Sequence, residues 1–296
     1  MLVDRLRFSE RRACRLAGQH RSTQRHEPSA PSAEDSDLCR QLRAIAKRKP
    51  RWGYRRAHGH LRANGHLVNR KRVQRLWREE GLRVPQKTHK RRRTGDREAQ
   101  WLRAERPNEL WALDYQYDQT ADGRMLRLLN IVDEFTREVL AIRVDRSITA
   151  EQTVSVLQAL VAERGAPANL RCDNGTELTA HALRDWCTAS AVSIRYIEPG
   201  APWQNPFAES FNARVRDELL NLEEFSCLIE ARVLAEDWRR DFNTEHPHSA
   251  LGYRSPAAFA AAWTAPTVPG ATTHRLSHAV DQQPGSGHLA RLRRAS

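Results

Sequence analysis

From Asn108 onward the 296-residue chain becomes a succession of short apolar runs of strand length, and this succession restricts its fold more than any other feature. Leu110-Trp-Ala-Leu-Asp114-Tyr-Gln-Tyr117, Met125 to Val132 and Val139 to Val144 are each rich in β-branched, aromatic or aliphatic residues, and Asp122-Gly123 supplies a hairpin turn between the first two. Thr149 is a cap for a helix over 150–163 that Gly165 and Pro167 stop, and the short strand Asn169 to Cys172 leads into Asp173-Asn174-Gly175. A helix over 180–189, a strand over 193–197, a Gly/Pro loop over 198–206 and long helices to Asn243 follow. The order β-β-β-α-β-α-β-α predicts an α/β fold with a mixed sheet flanked by helices.

The segment ahead of these strands is helical and basic. Residues 5–27 read as one short basic helix, and Pro28 and Pro31 break it. Asp37 is a cap for a helix to Lys47 that ends at Pro50, and a further helix is predicted from Tyr54 to Ala63. The dipeptide Asn64-Gly65 then turns the chain, and Asn69 is an N-cap for Arg70 to Glu80, closed by Gly81. In that last helix Val73, Leu76 and Trp77 share one face, while Arg70, Lys71, Arg72, Arg75 and Arg78 lie largely around the others, the pattern of a helix-turn-helix with a core-facing and a phosphate-facing side. The run Lys87 to Arg93 is an exposed basic linker.

Charge divides the chain at the same place. The first 106 residues hold 30 of the 49 lysines and arginines but 11 of the 36 acids, so a net charge of +13 conceals a strongly basic part and a mildly acidic one. Arginine-rich helices attract polyanions by counterion release and grip phosphate bidentately, so nucleic acid is the expected partner. The competing reading, a basic tail that only confers solubility, fits less well because the cations follow helical periods. The expected division is a basic helical arm over 1–40, a helix-turn-helix-like region and linker over 41–95, a catalytic-type α/β domain over 96–262 and a disordered tail over 263–296. The longest charge-free stretch, Ser255 to Thr273, is interrupted by Pro256, Pro266 and Pro269 and cannot span a membrane; no apolar segment follows the charged N-terminus, so a cytoplasmic protein is expected. Five scattered cysteines with no C-x-x-C pair exclude a disulfide framework and a zinc site.

Carboxylates at strand ends and helix starts are the candidates for chemistry. Asp114 interrupts an apolar strand, where an unpaired charge costs several kcal/mol unless a cation offsets it. Asp173 ends a strand, and Glu209 starts a helix with Asn212 and Arg216 three and seven residues later. Oxygen ligands without His or Cys suit Mg2+ or Mn2+. Asp118, Asp133 and Glu134 also flank predicted strands, and spacing does not separate them from the first three.

The strings Trp111-Ala-Leu-Asp114, Asp173-Asn-Gly-Thr-Glu177 and Pro199-Gly-Ala-Pro-Trp-Gln-Asn-Pro-Phe-Ala-Glu209-Ser-Phe-Asn-Ala-Arg-Val-Arg216-Asp-Glu-Leu-Leu-Asn221 resemble the DDE transposases of the IS-three family of insertion sequences, the OrfB type. The 35 residues between Asp173 and Glu209 match that family's usual separation, and Arg216 falls where it carries an additional Lys or Arg. Trp52-Gly-Tyr-Arg55-Arg56, Asn69 to Leu82 and Phe242 to Tyr253 extend the resemblance. Pro206 stands where the family often has Gly, Thr176 where it usually has Pro and His246 where it usually has Arg.

The resemblance implies a ribonuclease H-like integrase core that holds two Mg2+ ions, or Mn2+ in their place, about 3.5–4 Å apart. Asp114, Asp173 and Glu209 would be at once the catalytic residues and the metal ligands, and the reaction would be DNA cleavage followed by strand transfer. It also implies DNA contacts from Arg216, Trp203, Gln204, Asn205 and Asn212 near the carboxylates, and from Arg55, Arg56, Arg70, Lys71 and Arg72 in the helix-turn-helix. The implied partners are DNA, further copies of the chain on DNA, and an upstream-frame product or frameshift fusion. The alternative within the resemblance is a catalytically silent DNA-binding repressor derived from a transposase.

Overall fold

The computed structural model describes residues 7–25, 33–84, 103–173, 175, 178, 181–197 and 205–264. The expected basic linker at Lys87 to Arg93 and the tail from 265 fall outside them. Those up to Trp263 belong to one compact unit.

Five strands form the sheet: β1 (Leu110–Gln119), β2 (Met125–Asp133), β3 (Val139–Asp145), β4 (Asn169–Cys172) and β5 (Ser193–Tyr196), in the spatial order β3-β2-β1-β4-β5. β1 pairs antiparallel with β2 and parallel with β4, β3 is antiparallel to β2, and β5 is parallel to β4, so the sheet is mixed as the element order predicts. Side chains alternate across it. Trp111 and Leu113 point with Leu129, Ile131, Leu170 and Cys172 into a core covered by α6 (Ala150–Arg164) and α7 (His181–Ala189). Ala112 points the other way with Leu128 and Val132, into a core covered by α8 (Pro206–Val215) and α9 (Leu228–Glu245). Thr149 caps α6 with a complete capping box, its hydroxyl accepting from Gln152 N while the Gln152 amide returns to Thr149 N.

Three helices carry a separate apolar cluster: α3 (Ala33–Arg48), α4 (Tyr54–Ala63) and α5 (Arg70–Glu79) bury Leu42, Trp52, Ala57 and Val73 together. Asn69 caps α5, its Oδ1 accepting from Lys71 N at 2.8 Å, as the sequence predicts. Three expectations need correction. The basic helix over 5–27 is two short helices, α1 (Glu10–Leu16) and α2 (Arg21–Gln24), because Gly18 adopts φ 64° and the chain turns there. Asp37 is no cap: α3 starts at Ala33, and Asp37 lies inside it, bonding Gln41 at 2.9 Å, so the boundary set at residue 40 falls within one helix. The long helices toward Asn243 are interrupted: α8 passes into a π-helical turn over Arg216–Leu220, and α9 begins anew where the Glu230 carboxylate accepts from Ser226 N at 2.6 Å.

The helical cluster is clamped onto the sheet domain by ion pairs. Glu218, in the π-helical turn, accepts from Arg56 of α4 at 2.8 Å, from Arg214 of α8 at 3.1 Å and pairs with His246 at 3.2 Å, and its side chain is 7% exposed. Lys49 pairs with Asp241 beside it, and His60 with Glu245 at 3.3 Å. His246 stacks on Phe242 and meets the edge of Trp52. Gly59 in α4 lies so close to the loop after α9 that a Cβ there would approach Pro247 and Tyr253 to 3.0 Å. Burial alone would raise the Glu218 carboxyl, yet the His246 hydrogen bond and the Arg56 and Arg214 charges hold it down at about 2. A carboxyl lowered by folding contributes stability above its ordinary value and loses it as pH falls. Glu218→Ala therefore lowers stability at pH 7 by about 3 kcal/mol, because it leaves buried cations unpaired. In thermal melts the wild type loses this advantage over the variant as pH drops from 4.5 toward 2; a constant gap across that window would sink the assignment.

Candidate carboxylate site and nucleic-acid interface

The alternation that sends Trp111 and Leu113 to one side of β1 sends Ala112, Asp114 and Gln116 to the side of α8. Ala112 pairs with Arg171 of β4, and the same alternation carries Asp173, just past the strand end, to that side. Glu209 lies in the first turn of α8, exposed, above the half-buried Asp114. The three carboxylates named from sequence thus face one region: burial and the Asp173 charge push the Asp114 carboxyl up to about 6, Glu209 adding to the rise and the Tyr115 N–H opposing it. Partial desolvation raises Glu209 as well. Asp173 Oδ1 accepts from Gly175 N at 3.1 Å, which fixes the carboxylate to its own turn. Among the described residues no group of three His, Cys, Asp or Glu side chains closes into a metal-binding cluster, so these three are neighbours and not a formed cage. The donor set is nonetheless all carboxylate oxygen around an Asp whose negative charge lacks a cation, which fits a hard divalent ion.

Asn212 is the residue that organises Asp114. Its Nδ2 donates to Asp114 Oδ2 at 2.7 Å, while its Oδ1 accepts from Asn130 Nδ2 at 2.7 Å. Asn130 Nδ2 also reaches Gln116 Oε1 at 3.3 Å, and Gln116 Nε2 donates to the Asn212 carbonyl at 3.1 Å. Asn130 and Gln116 escaped the sequence reading. Their signal was present: each is an amide in an apolar strand, and Asn130 lies directly across from Asp114 in the β1–β2 ladder.

The rival acids have other occupations. Asp133 is buried and holds the turn after β2, accepting from Asn108, Phe135 and Thr136 backbone N–H groups at 2.8–2.9 Å. Glu134 is buried against Arg171, and Asp118 pairs with Arg216 at 3.4 Å.

Several expected DNA contacts are placed differently. Asn205 is 2% exposed, with its Nδ2 on the Leu113 carbonyl at 3.4 Å, so it holds the start of α8 instead of facing DNA. Arg56 is committed to Glu218 and Arg72 to Asp35 and Glu34, at 2.7 and 3.2 Å. Asn212 serves Asp114, and Arg216, 41% exposed, reaches Asp118 and the Tyr117 carbonyl. Arg55 lies over the Tyr54 ring, while Arg70 and Lys71 are exposed at the start of α5. Trp203 and Gln204 lie outside the described residues.

Integrase core domain models match residues 104–202 and 190–256, and an HTH-like domain model matches residues 33–92. The insertion element IS407 31.7 kDa protein of Burkholderia multivorans is 40% identical over 87% of this chain and 92% of its own length. The insertion element IS476 39.2 kDa protein of Xanthomonas euvesicatoria is 38% identical over 96% of this chain and 79% of its own. The chain belongs to the IS-three family of insertion-element transposases. Transposase InsD of the Escherichia coli element IS2 is 28% identical over 76% of the chain and 79% of its own length. A chain of the simian T-cell lymphotropic virus intasome matches with a TM-score of 0.50 at 16% identity, over 79% of this chain and 78% of that one, and shows the shared ribonuclease H-like fold of integrase cores.

Within this transposase family frame, two departures of the sequence have structural reasons. Pro206 occupies the first position of α8, where its missing N–H costs nothing and its fixed φ suits the helix. His246 is buried between Trp52 and Phe242 and pairs with Glu218, where burial pushes its pKa down. For Asn212, the network predicts that Asn212→Ala lowers the unfolding free energy by about 1–3 kcal/mol, because Asp114 and Asn130 lose their partner. Denaturant titration checks this; an unchanged midpoint would return Asn212 to the role of a free DNA contact.

Proposed function

We propose that this transposase cuts DNA at the ends of its element and joins the freed 3′ end to a second DNA, using Asp114, Asp173 and Glu209. The observation that carries this reading is the raised Asp114 carboxyl, set among two further acids with a dedicated amide donor. A carboxylate held in place at this energetic cost has the character of a ligand waiting for a cation. Mg2+ or Mn2+ bound by the three carboxylates, two ions in this reading, would supply Lewis acidity at the phosphodiester oxygens. The protein's share is positional: Asn212 fixes Asp114 Oδ2, and Gly175 N fixes Asp173 Oδ1. Asn205 ties the start of α8 to β1, which sets Glu209 over the strand.

Cleavage is in-line attack of water on phosphorus with departure of the 3′ oxygen, which takes a proton and becomes the attacking hydroxyl for joining. Exposed cations bring the DNA to this face. Arg70 and Lys71 lead α5, and Arg216, which also donates to the Tyr117 carbonyl, is paired with Asp118 by a part-exposed contact of the kind worth at most about 1 kcal/mol, which a phosphate would displace. Assembly as a homo-oligomer on DNA, with or without an upstream-frame segment, completes the reading.

Asp114→Asn, Asp173→Asn and Glu209→Gln should each abolish divalent-ion-dependent nicking and joining of element-end DNA while leaving DNA affinity within a few fold. Retained activity in any one would remove that residue from the set, and a nicked product never joined to a second DNA would make the protein a nuclease. For the interface, replacing Arg70 and Lys71 together by Ala should weaken binding at all sequences and lower the salt-dependence slope by about 2. Arg72→Ala should instead lower the melting temperature, since Asp35 loses one of its two arginine partners and keeps Arg75, and change the slope less. Equal slopes for both variants would contradict this division.

A further inference from the structure

A cavity of about 260 Å³ opens on the flank of α8 away from the carboxylates, and nothing in the proposed chemistry uses it. Its inner wall is aromatic: Phe207 and Phe211 from α8 and Phe242 from α9. Its polar groups are Ser210, Arg137, Arg214 and His248 with one carboxylate, Asp133. Arg137, from the turn between β2 and β3, lies over the Phe207 ring at 3.8 Å, and Arg214 and His248 complete the lining.

Three features set Arg137 apart from a structural arginine. Its Nε and Nη1 are buried and, among the described residues, have no hydrogen-bond partner, and the same holds for Nδ1 of His248. Its backbone adopts φ 64°, a conformation that costs a residue other than Gly stability and is kept where surroundings require it. Burial lowers its pKa to about 10, against which the nearby Glu134 and Asp133 charges act without forming a hydrogen bond to it, and Arg103 adds to the fall. The one carboxylate in the lining, Asp133, is spent on three backbone N–H groups of its own turn. Arg214 gives one nitrogen to Glu218. A guanidinium with two unused donors above an aromatic floor calls for a ligand that is both flat and anionic.

Phe207 stands two residues before Glu209, about 200° round the helix. The cavity and the carboxylate are thus separated by roughly one helix diameter, about 10 Å. A DNA strand whose scissile phosphate lies at Glu209 has its next few nucleotides within that reach, at about 3.4 Å per residue in duplex form. We propose that this cavity receives one unstacked nucleotide of the DNA substrate, the base against Phe207 and its phosphate on Arg137. The proposal rests on the DNA-processing reading above. It gives the transposase a means of holding a strand splayed beside the carboxylates, because a base in the cavity cannot remain paired in the duplex.

The test measures affinity of the full chain for three DNAs: a blunt duplex, the same duplex with a four-nucleotide single-stranded extension, and that extension made abasic. The wild type should bind the extended DNA at least about fivefold more tightly than its abasic counterpart, the scale of one base stacked on an aromatic ring. Phe207→Ala should erase that preference while affinity for the blunt duplex is unchanged, and Phe207→Tyr, which keeps the ring, should restore it. Arg137→Gly, which suits the left-handed backbone and keeps the turn, should weaken binding of both extended DNAs relative to the blunt one. Equal affinity of the wild type for base-bearing and abasic extensions, or a preference that survives Phe207→Ala, would overturn the nucleotide cavity and leave the transposase reading standing. Failure of the wild type to bind any of the three would overturn both.

Discussion

Helix α8 lies across the face of β1 that carries Ala112, Asp114 and Gln116, and the site depends on that contact. Ala112, Phe211 and Val215 supply the apolar part of the packing, and the hydrogen bonds from Asn205 to Leu113 and from Asn212 to Asp114 supply its register. Were α8 displaced by one turn, Asn212 would no longer meet Asp114, and Glu209 would leave the strand end that Asp173 shares. Apolar contact alone tolerates such slips; two buried amides with fixed partners do not.

That arrangement has an electrostatic consequence. Burial, and after it repulsion by the neighbouring Asp173 and Glu209 carboxylates, raises the Asp114 pKa, a cost the fold accepts instead of dispersing the charges. Elsewhere the buried Asp133 is held by three backbone N–H groups, while three other acids pair with arginine: Glu134 with Arg171, Glu138 with Arg164 and Glu218 with Arg56 and Arg214. Asp114 has an amide where those acids have guanidinium groups.

Much of this was legible in the sequence, for physical reasons that also explain what was not. Strand positions could be read because alternation and turn residues are local, and Asp114 stood out because one acid in an apolar strand has few structural excuses. The N-caps at Asn69 and Thr149 were legible for the same reason. The partners of the arginines were not: Arg56 meets Glu218 across 162 positions, and Arg72 meets Asp35 across 37, and nothing in a basic motif tells whether the anion that completes it is a phosphate or a distant carboxylate. The burial of Asn205 was not legible either, since nothing in a Gly/Pro loop shows that a strand carbonyl lies beneath it. Asn130 and Gln116 would have been found by asking what lies opposite Asp114 in the hairpin, a question the Asp122-Gly123 turn already answers.

The clamp between α4 and the loop after α9 also sets an order of assembly. Lys49 and its partner Asp241 are 192 positions apart. On a ribosome adding about 5–20 residues per second, the helical cluster, whose last helix ends at Glu79, is complete for roughly 8–30 s before Asp241 has been made. Its own apolar centre of Leu42, Trp52 and Val73 can form in that interval, but Arg56 and the tight backbone at Gly59 must wait for Glu218, Pro247 and Tyr253. The nascent chain therefore presents its basic helices to any polyanion nearby well before Asp114, Asp173 and Glu209 are in place behind them.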